Sequence, residues 1–196
     1  MNHPSTQRAR ALDALRVVAE AAGREAASTV GRLLGREAEV GEVRLVEGSD
    51  PAGVVRLAGR PDQELVAVGM ELNEPLGGRI LVLAAAEEAE RVSQRLVPEA
   101  VAGSLDAVGE SALVEVGNIA GSAFASGLAR RLGVRLLHGV PRLTRGRPRA
   151  CLDALAPGAA GPAVLVRFGC EEGGAALLLL PDPDRVDTLA GAREGK

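Results

Sequence analysis

The hydrophobic pattern divides the chain into two long helices, each followed by short strands. In residues 11–35, ALDALRVVAEAAGREAASTVGRLLG, apolar positions recur every three or four residues, which predicts a helix with Gly35 as its C-cap. A second long helix is predicted to begin between Ser104 and Ser111 and to end at Gly133. Residues 1–10 and 193–196 lack this pattern, and we expect them to be loose tails.

Short apolar runs predict the strands and the smaller helices. In the first half the predicted strands are 42–48, 54–60, 64–72 and 79–85, with the turn NEPLGG at 73–78 and a helix at 87–97. In the second half they are 134–140, 163–170 and 176–180, with a Pro/Arg/Gly-rich connector after the first, the turn EEGG at 171–174 and a helical patch at 184–191. The order of elements is therefore similar in the two halves.

The two halves also match residue by residue. An offset of 98, as from Ala14 to Ala112, aligns the long helices and places Gly23 on Gly121. We predict an α+β fold, a single domain 1–196 of two pseudo-symmetric halves, about 11–97 and 104–192, that share one mainly antiparallel sheet packed against the two helices. Glycine inside a helix costs about 1 kcal/mol relative to alanine, so Gly23 and Gly121 predict close approach of the two helices or of another backbone.

One line of polar residues runs along the second long helix. Ser111, Glu115, Asn118 and Ser122 are spaced i, i+4, i+7 and i+11, which places them on one helix face, hereafter the stripe. The apolar residues of another face predict contact with the sheet; they are Leu113, Val116, Ala120, Phe124 and Leu128. The stripe is thus expected to face solvent or a partner.

Ordinary surface residues would give the same stripe, because helices need a solvated face. Asparagine, however, is a poor residue inside a helix. The small residues around the pair also predict an unobstructed stripe; they are Gly117, Ala120, Gly121 and Ser122. At the matching positions of the first helix, Asp13 replaces Ser111, Val17 replaces Glu115 and Glu20 replaces Asn118. Any chemistry of the pair belongs to the second half alone.

Composition narrows the class of function. The net charge is −3, with no Trp or Tyr and only two Phe, which argues against nucleic-acid binding. Cys151 and Cys170, with His3 and His138, give no zinc-binding pattern, and we expect free, buried thiols in a reducing cytosol. The N-terminus lacks the apolar core of a signal peptide, and the runs ILVLAAA and AALLLL are too short to span a bilayer, so a cytoplasmic protein without membrane insertion is predicted.

The stripe resembles a known motif. SALVEVGNIAGSAFASGLARRLG is similar to the active-site helix of the CheC/CheX/FliY family of chemotaxis phosphatases, in which Asp or Ser is followed by Glu after three residues and by Asn after two more. Ser111, Glu115 and Asn118 match this motif, Asn118-Ile119 matches its usual continuation, and RLLHGVPRL is similar to the segment that follows in CheC proteins. The duplicated architecture is also typical of the family, and the resemblance covers about residues 11–192.

The resemblance implies hydrolysis of the aspartyl phosphate on a phosphorylated CheY-type response regulator, which itself carries Mg²⁺. By resemblance, Asn118 would orient the attacking water and Glu115 would bind a lysine of the regulator. Ser111, Ser122 and Gly121 would contact the partner, and the chain itself would need no cofactor or metal. On the first long helix, Val17 cannot pair with a lysine, and Glu20 would place a negative charge beside the phosphoryl group. We therefore expect the matching site on this helix to be inactive.

Other interpretations stay open. The chain is alternatively a non-catalytic CheC-like binding or scaffold protein for CheY, the deamidase CheD or a flagellar switch component, and the face of the first helix is available for CheD or for a homodimer. The segment GESAL, 109–113, weakly resembles a nucleophile elbow with His138 as the base for Ser111. It lacks the closing glycine and a strand-to-helix turn, which disfavours that hypothesis.

Overall fold

The computed structural model describes residues 4–46, 60–97, 105–159, 161–170 and 173–186. The helices are α1 (Pro4–Leu34), α2 (Ala86–Leu96), α3 (Leu105–Leu132) and α4 (Pro148–Leu155). The strands are β1 (Glu39–Val46), β2 (Leu65–Glu71), β3 (Arg79–Ala85), β4 (Arg142–Gly146), β5 (Ala163–Cys170) and β6 (Gly173–Leu180). The expected mixture of two long helices and a set of short strands is confirmed.

The six strands of the described residues form one antiparallel sheet. Their order is β1-β5-β6-β3-β2-β4, and every neighbouring pair is antiparallel. Exchanging the halves, so that β1, β2 and β3 trade places with β4, β5 and β6, reproduces the same order from the opposite edge. The predicted fold class is confirmed, and the strand order has the two-fold pattern that the internal repeat suggested.

The sheet is covered on both faces. Leu177 and Leu179 belong to a core cluster with α1 and α3, whereas Leu178 and Leu180 pack in a second cluster with Leu155 of α4. This alternation follows from the two-residue period of side chains along a strand. The long helices therefore lie on one face, and α4 lies on the other.

The two long helices end in the same way. Gly35 and Gly133 both have φ near +70°, at +66° and +69°. The residue that follows each glycine bonds back to the end of the helix. Arg36 N–H donates to the Gly31 carbonyl at 2.9 Å, and Val134 N–H donates to the Ala129 carbonyl at 3.1 Å. These are equivalent bonds of a glycine-based cap, so the predicted C-cap at Gly35 is confirmed and recurs in the second half.

The glycines within the long helices allow these helices to pack closely against the sheet. A Cβ on Gly23 would collide with Val166 of β5, and one on Gly121 would collide with Met70 of β2. The expected packing reason is thus confirmed for both residues, although the neighbour is the sheet. The close approach of the two helices lies instead at Gly127, where a Cβ would be 2.9 Å from the Cα of Ala22.

Two predictions at the level of elements are wrong. Residues 4–10 are helical, because proline is well tolerated in a first helical turn and the following residues need no apolar face to extend α1. Residues 134–140 form no strand and contribute only the bridge between Leu72 and His138. The strand and a helix lie instead in the proposed connector, at 142–146 and 148–155.

Some predictions fall on residues outside the described part of the chain. These are most of the strand at 54–60, the end of the helical patch at 184–191 and the tail at 193–196. Among the described residues, Ala107–Leu132 of α3 has the length and apolar composition of a membrane-crossing helix, and it is partly buried within the fold. A core helix of a folded domain meets the same criteria.

Candidate functional site

The stripe lies on the accessible side of α3. Ser111 and Glu115 are exposed, and Asn118 and Ser122 are half-buried. On the sheet side, Val116 is half-buried and the other predicted residues are buried; these are Leu113, Ala120, Phe124 and Leu128. The predicted orientation of the helix is therefore the observed one, and Glu115 and Asn118 are accessible to a macromolecular partner.

Small residues determine how closely α3 approaches the sheet. A Cβ on Gly117 would lie 2.6 Å from the Cβ of Val68, and the equivalent atom on Gly121 would meet the methyl end of Met70. Gly117, Ala120 and Gly121 are buried against the sheet and do not line the stripe. The expectation that Gly121 contacts a partner is corrected: this residue is a packing position beneath the site.

Ion pairs fasten α3 to α1 beyond the stripe. Glu25 of α1 accepts a hydrogen bond from Arg131 at 2.6 Å and is also bonded to Arg130. Partial burial of Glu25 acts to raise its pKa, but the hydrogen bonds and positive charges of Arg131 and Arg130 outweigh it and lower the pKa. The carboxylate therefore stays ionised at neutral pH and links the C-terminal turns of α3 to α1.

The loop at 133–141 places a histidine beside the stripe. His138 Nε2 lies 2.7 Å from Ser122 Oγ, and His138 Nδ1 lies 2.9 Å from the carbonyl oxygen of Gly139. The sequence suggested His138 as a base for Ser111. The Ser111 hydroxyl instead donates to the Ala107 carbonyl at 2.9 Å. The geometry therefore gives the nucleophile hypothesis for Ser111 no support. No spacing rule links positions 122 and 138, so sequence reasoning missed this contact.

The corresponding face of α1 has a different chemistry. Arg16 lies 3.1 Å from Asp13 and 3.8 Å from Glu20, and Glu20 is also paired with Arg24. Val17 lies among these charges with 51% of its surface exposed. Both carboxylates are therefore engaged by arginines of their own helix, and no amide occupies the position equivalent to Asn118.

The described residues contain no group of three or more His, Cys, Asp and Glu side chains that could hold a metal ion. Cys151 is a buried free thiol that donates to the Gly146 carbonyl at 3.4 Å. Burial, and secondly the charge of Glu64, raise the pKa of Cys151. The predicted free, buried thiol is confirmed at Cys151, whereas the side chain of Cys170 lies outside the described part.

No protein-family model and no curated protein matches the chain. Solved structures do match. FliY from Thermotoga maritima has a TM-score of 0.66 at 16% identity, covering 98% of this chain and 97% of the other. A chain of the FliM–SpeE complex from H. pylori has 0.60 at 14% identity (95% and 97%), and CheX from Desulfovibrio desulfuricans has 0.55 at 13% (85% and 99%). These similarities establish a shared fold.

Proposed function

We propose that this chain, which has the fold of the CheC/CheX/FliY proteins, is a phosphatase for the aspartyl phosphate of a CheY-type response regulator in chemotaxis signalling. The observation that carries this proposal is the presence of Glu115 and Asn118 on the accessible face of α3. The reaction takes place in the cytoplasm, where the regulator is phosphorylated. The regulator contributes its own Mg²⁺, and this chain contributes side chains only.

Asn118 is suited to positioning water. Its amide can accept one hydrogen bond from a water and donate another without adding charge, whereas a carboxylate there would repel the phosphoryl oxygens. Phosphoryl transfer depends mainly on such positioning and on the placement of charge. Asn118 therefore holds a water in line with the phosphorus atom and the leaving aspartate oxygen.

Glu115 is suited to holding the regulator. It lies one turn before Asn118 on the same face, so both side chains can enter one concave site of the partner. Its carboxylate forms an ion pair with an ammonium group near the phosphate, which orients the two proteins. Ser111 and Ser122 complete the contact on either side of the pair.

A single site does this work. On α1, Val17 occupies the position equivalent to Glu115. Glu20 occupies the position equivalent to Asn118 and is paired with Arg16 and Arg24. This face instead provides a place for a second partner, such as CheD or a second copy of the chain.

The alternative is a binding protein that holds CheY, CheD or a flagellar switch component without hydrolysis. The match to a chain of the FliM–SpeE complex is the observation that favours it, because a protein with this fold is found there in a protein assembly. An accessible glutamate and asparagine at the motif spacing favour the phosphatase.

One assay separates the two functions. A CheY-type regulator is phosphorylated, and loss of its acyl phosphate is followed with the wild type, Asn118→Ala and Glu115→Ala. We expect Asn118→Ala to lower the rate by two orders of magnitude or more, about 3 kcal/mol, as for other positioned catalytic amides. Glu115→Ala should mainly weaken binding, and Val17→Ala should leave the rate unchanged. Binding of the regulator by the wild type with no change in phosphate lifetime would establish the binding protein instead.

A further inference from the structure

The contact between Ser122 and His138 has a defined direction. A carbonyl oxygen can only accept, so the contact with Gly139 requires the proton of the neutral imidazole to be on Nδ1. Nε2 is then an acceptor, and the short contact with Ser122 requires its hydroxyl to donate to the ring. Toward any other molecule, Ser122 Oγ therefore acts as a hydrogen-bond acceptor.

The backbone fixes the histidine in this position. Leu137 N–H donates to Asn73 Oδ1 at 2.6 Å, and Asn73 N–H donates to the Leu137 carbonyl at 3.0 Å. Gly139 N–H donates to the Glu71 carbonyl at 2.8 Å. The residues on both sides of His138 are thus tied to the end of β2 and the turn after it, so the ring is held against α3 before any partner arrives.

The surroundings of the pair fit a protein partner. Leu137 and Val140 flank His138 in the loop with 52% and 83% of their surfaces exposed. Exposed apolar side chains beside a hydrogen-bonding group suit a macromolecular surface better than a small ion. Ser122 follows Asn118 by one helical turn, and about 10 Å of helix separates Glu115 from Ser122 at 1.5 Å per residue.

We infer that Ser122 and His138 form a second recognition element of the site, in which Ser122 Oγ, held as an acceptor by His138, receives an N–H donor of the docked regulator. This inference rests on the proposed function. Glu115 then supplies a charged acceptor, Asn118 the amide for the water, and Ser122 a neutral acceptor. His138 is a positioning residue, because it acts through Ser122.

Binding is tested apart from hydrolysis. The regulator is activated with beryllofluoride, a mimic of the phosphoryl group, and its Kd is measured by calorimetry in an Asn118→Ala background. Ser122→Ala and His138→Ala should each raise Kd about three- to tenfold, the value of one hydrogen bond. The Kd of the double variant should be no higher than the higher of the two single-variant values, because the two residues act as one unit. Ser126→Ala, one turn further along α3, is the matched control and should leave Kd unchanged.

Conservative variants distinguish recognition from a structural role. Ser122→Thr keeps the hydroxyl and should restore wild-type Kd, and His138→Gln should restore it because its amide oxygen can accept near the position of Nε2. Nitrogen-15 NMR of the free protein should show the Nδ1–H tautomer of His138. Thermal unfolding is measured for every variant.

Two results would overturn the inference. One is an unchanged Kd in Ser122→Ala and His138→Ala, whether or not their Tm falls, since that outcome leaves the pair as a structural tether only. The other is an Nε2–H tautomer for His138. Hydrolysis is assayed separately with the wild type, so a regulator that binds through Ser122 but is not dephosphorylated refutes the phosphatase while this recognition element stands. A wild type that does not bind the activated regulator refutes both.

Discussion

Gly117 and Gly121 lie on the same side of α3 but meet side chains of different stiffness. The neighbour of Gly117 is the branched Val68, and the neighbour of Gly121 is the flexible end of Met70. We expect Gly117→Ala to lower the free energy of unfolding by about 1–3 kcal/mol. Gly121→Ala should change it by less than about 1 kcal/mol, because Met70 can move and alanine favours the helix.

Urea unfolding of both variants measures the difference. The double variant Gly117→Ala/Val68→Ala supplies the control: if the clash with Val68 causes the loss, the two substitutions together should cost less than the sum of each alone. Equal losses at positions 117 and 121 would contradict this explanation of the packing.

Cys151 gives a chemical prediction at the same scale. Burial raises its pKa, with a further contribution from Glu64, so little thiolate is available and reagents reach it only when the protein opens. In a Cys170→Ser background, Cys151 should react with a thiol reagent such as DTNB orders of magnitude more slowly in the folded protein than in urea. A fast reaction in the native state, absent from Cys151→Ser, would show that the thiol is accessible.

The sequence predicted which face of α3 is accessible, but not which residues that helix contacts. Spacing on a helix was enough to place Glu115 and Asn118 on an exposed face, because one period determines both faces. It could not show that Gly121 faces the sheet or that His138 reaches Ser122, since both contacts depend on elements distant in the chain. The local pattern thus shows which face of a helix is exposed, whereas its contacts with distant residues depend on tertiary packing.

At the scale of elements, Glu25 forms a polar link between α1 and α3 through Arg130 and Arg131. With about a third of the side chain exposed, its pairs with Arg130 and Arg131 are partly screened by solvent, so Glu25→Gln should cost about 1 kcal/mol or less at pH 7. The pKa of Glu25 is lowered on folding, so this contribution is present above its ordinary value of 4.5 and is lost as the pH falls through the folded pKa. Wild type and variant should therefore converge in acid.

The measurement is the urea midpoint from pH 7 to pH 3. Asp153→Asn provides the matched control, because Asp153 pairs with Arg149 within α4 alone and should cost no more than about 0.5 kcal/mol. If Glu25→Gln is destabilised relative to the wild type by the same amount at pH 3 as at pH 7, its effect comes from packing and not from charge.

In the second half, the wrongly predicted strand and the strand that was missed have a common cause. Residues 134–140 contain the apolar run that favours a strand, but their backbone is tied to the β2–β3 turn and makes a single bridge. β4 is an edge strand, RLTRG, with exposed or half-buried side chains, so its sequence is polar and its pairing with β2 is set by the sheet. The long helices and central strands were predictable because burial gives them a strong pattern.

For the whole molecule, the internal repeat was the most informative sequence signal. It indicated two halves, and the strand order is unchanged when they are exchanged. The halves differ where the site is. Residues 35–38 connect α1 to β1, whereas residues 133–141 connect α3 to β4 and include the loop that holds His138. The internal symmetry therefore accounts for the sheet and the two long helices. The longer loop beside the site has no counterpart of equal length in the first half.

This difference predicts the result of rebuilding a site on the first half. Val17→Glu, Glu20→Asn and Arg24→Ser recreate on α1 the residues equivalent to Glu115, Asn118 and Ser122. In an Asn118→Ala background, we expect the rebuilt site to hydrolyse the regulator's acyl phosphate, but to need about a three- to tenfold higher protein concentration than the wild type for the same rate. The physical reason is that the short link at 35–38 provides no equivalent of His138 to orient the new serine.

Restoring Asn118 in the same triple variant is the control, and it should return at least the wild-type rate, which shows that the substitutions on α1 are tolerated by the fold. Circular dichroism and unfolding of both proteins check the same point. A rebuilt first site that matches the wild type at every protein concentration would show that three residues on a helix suffice, and that the loop of the second half adds nothing to binding of the regulator.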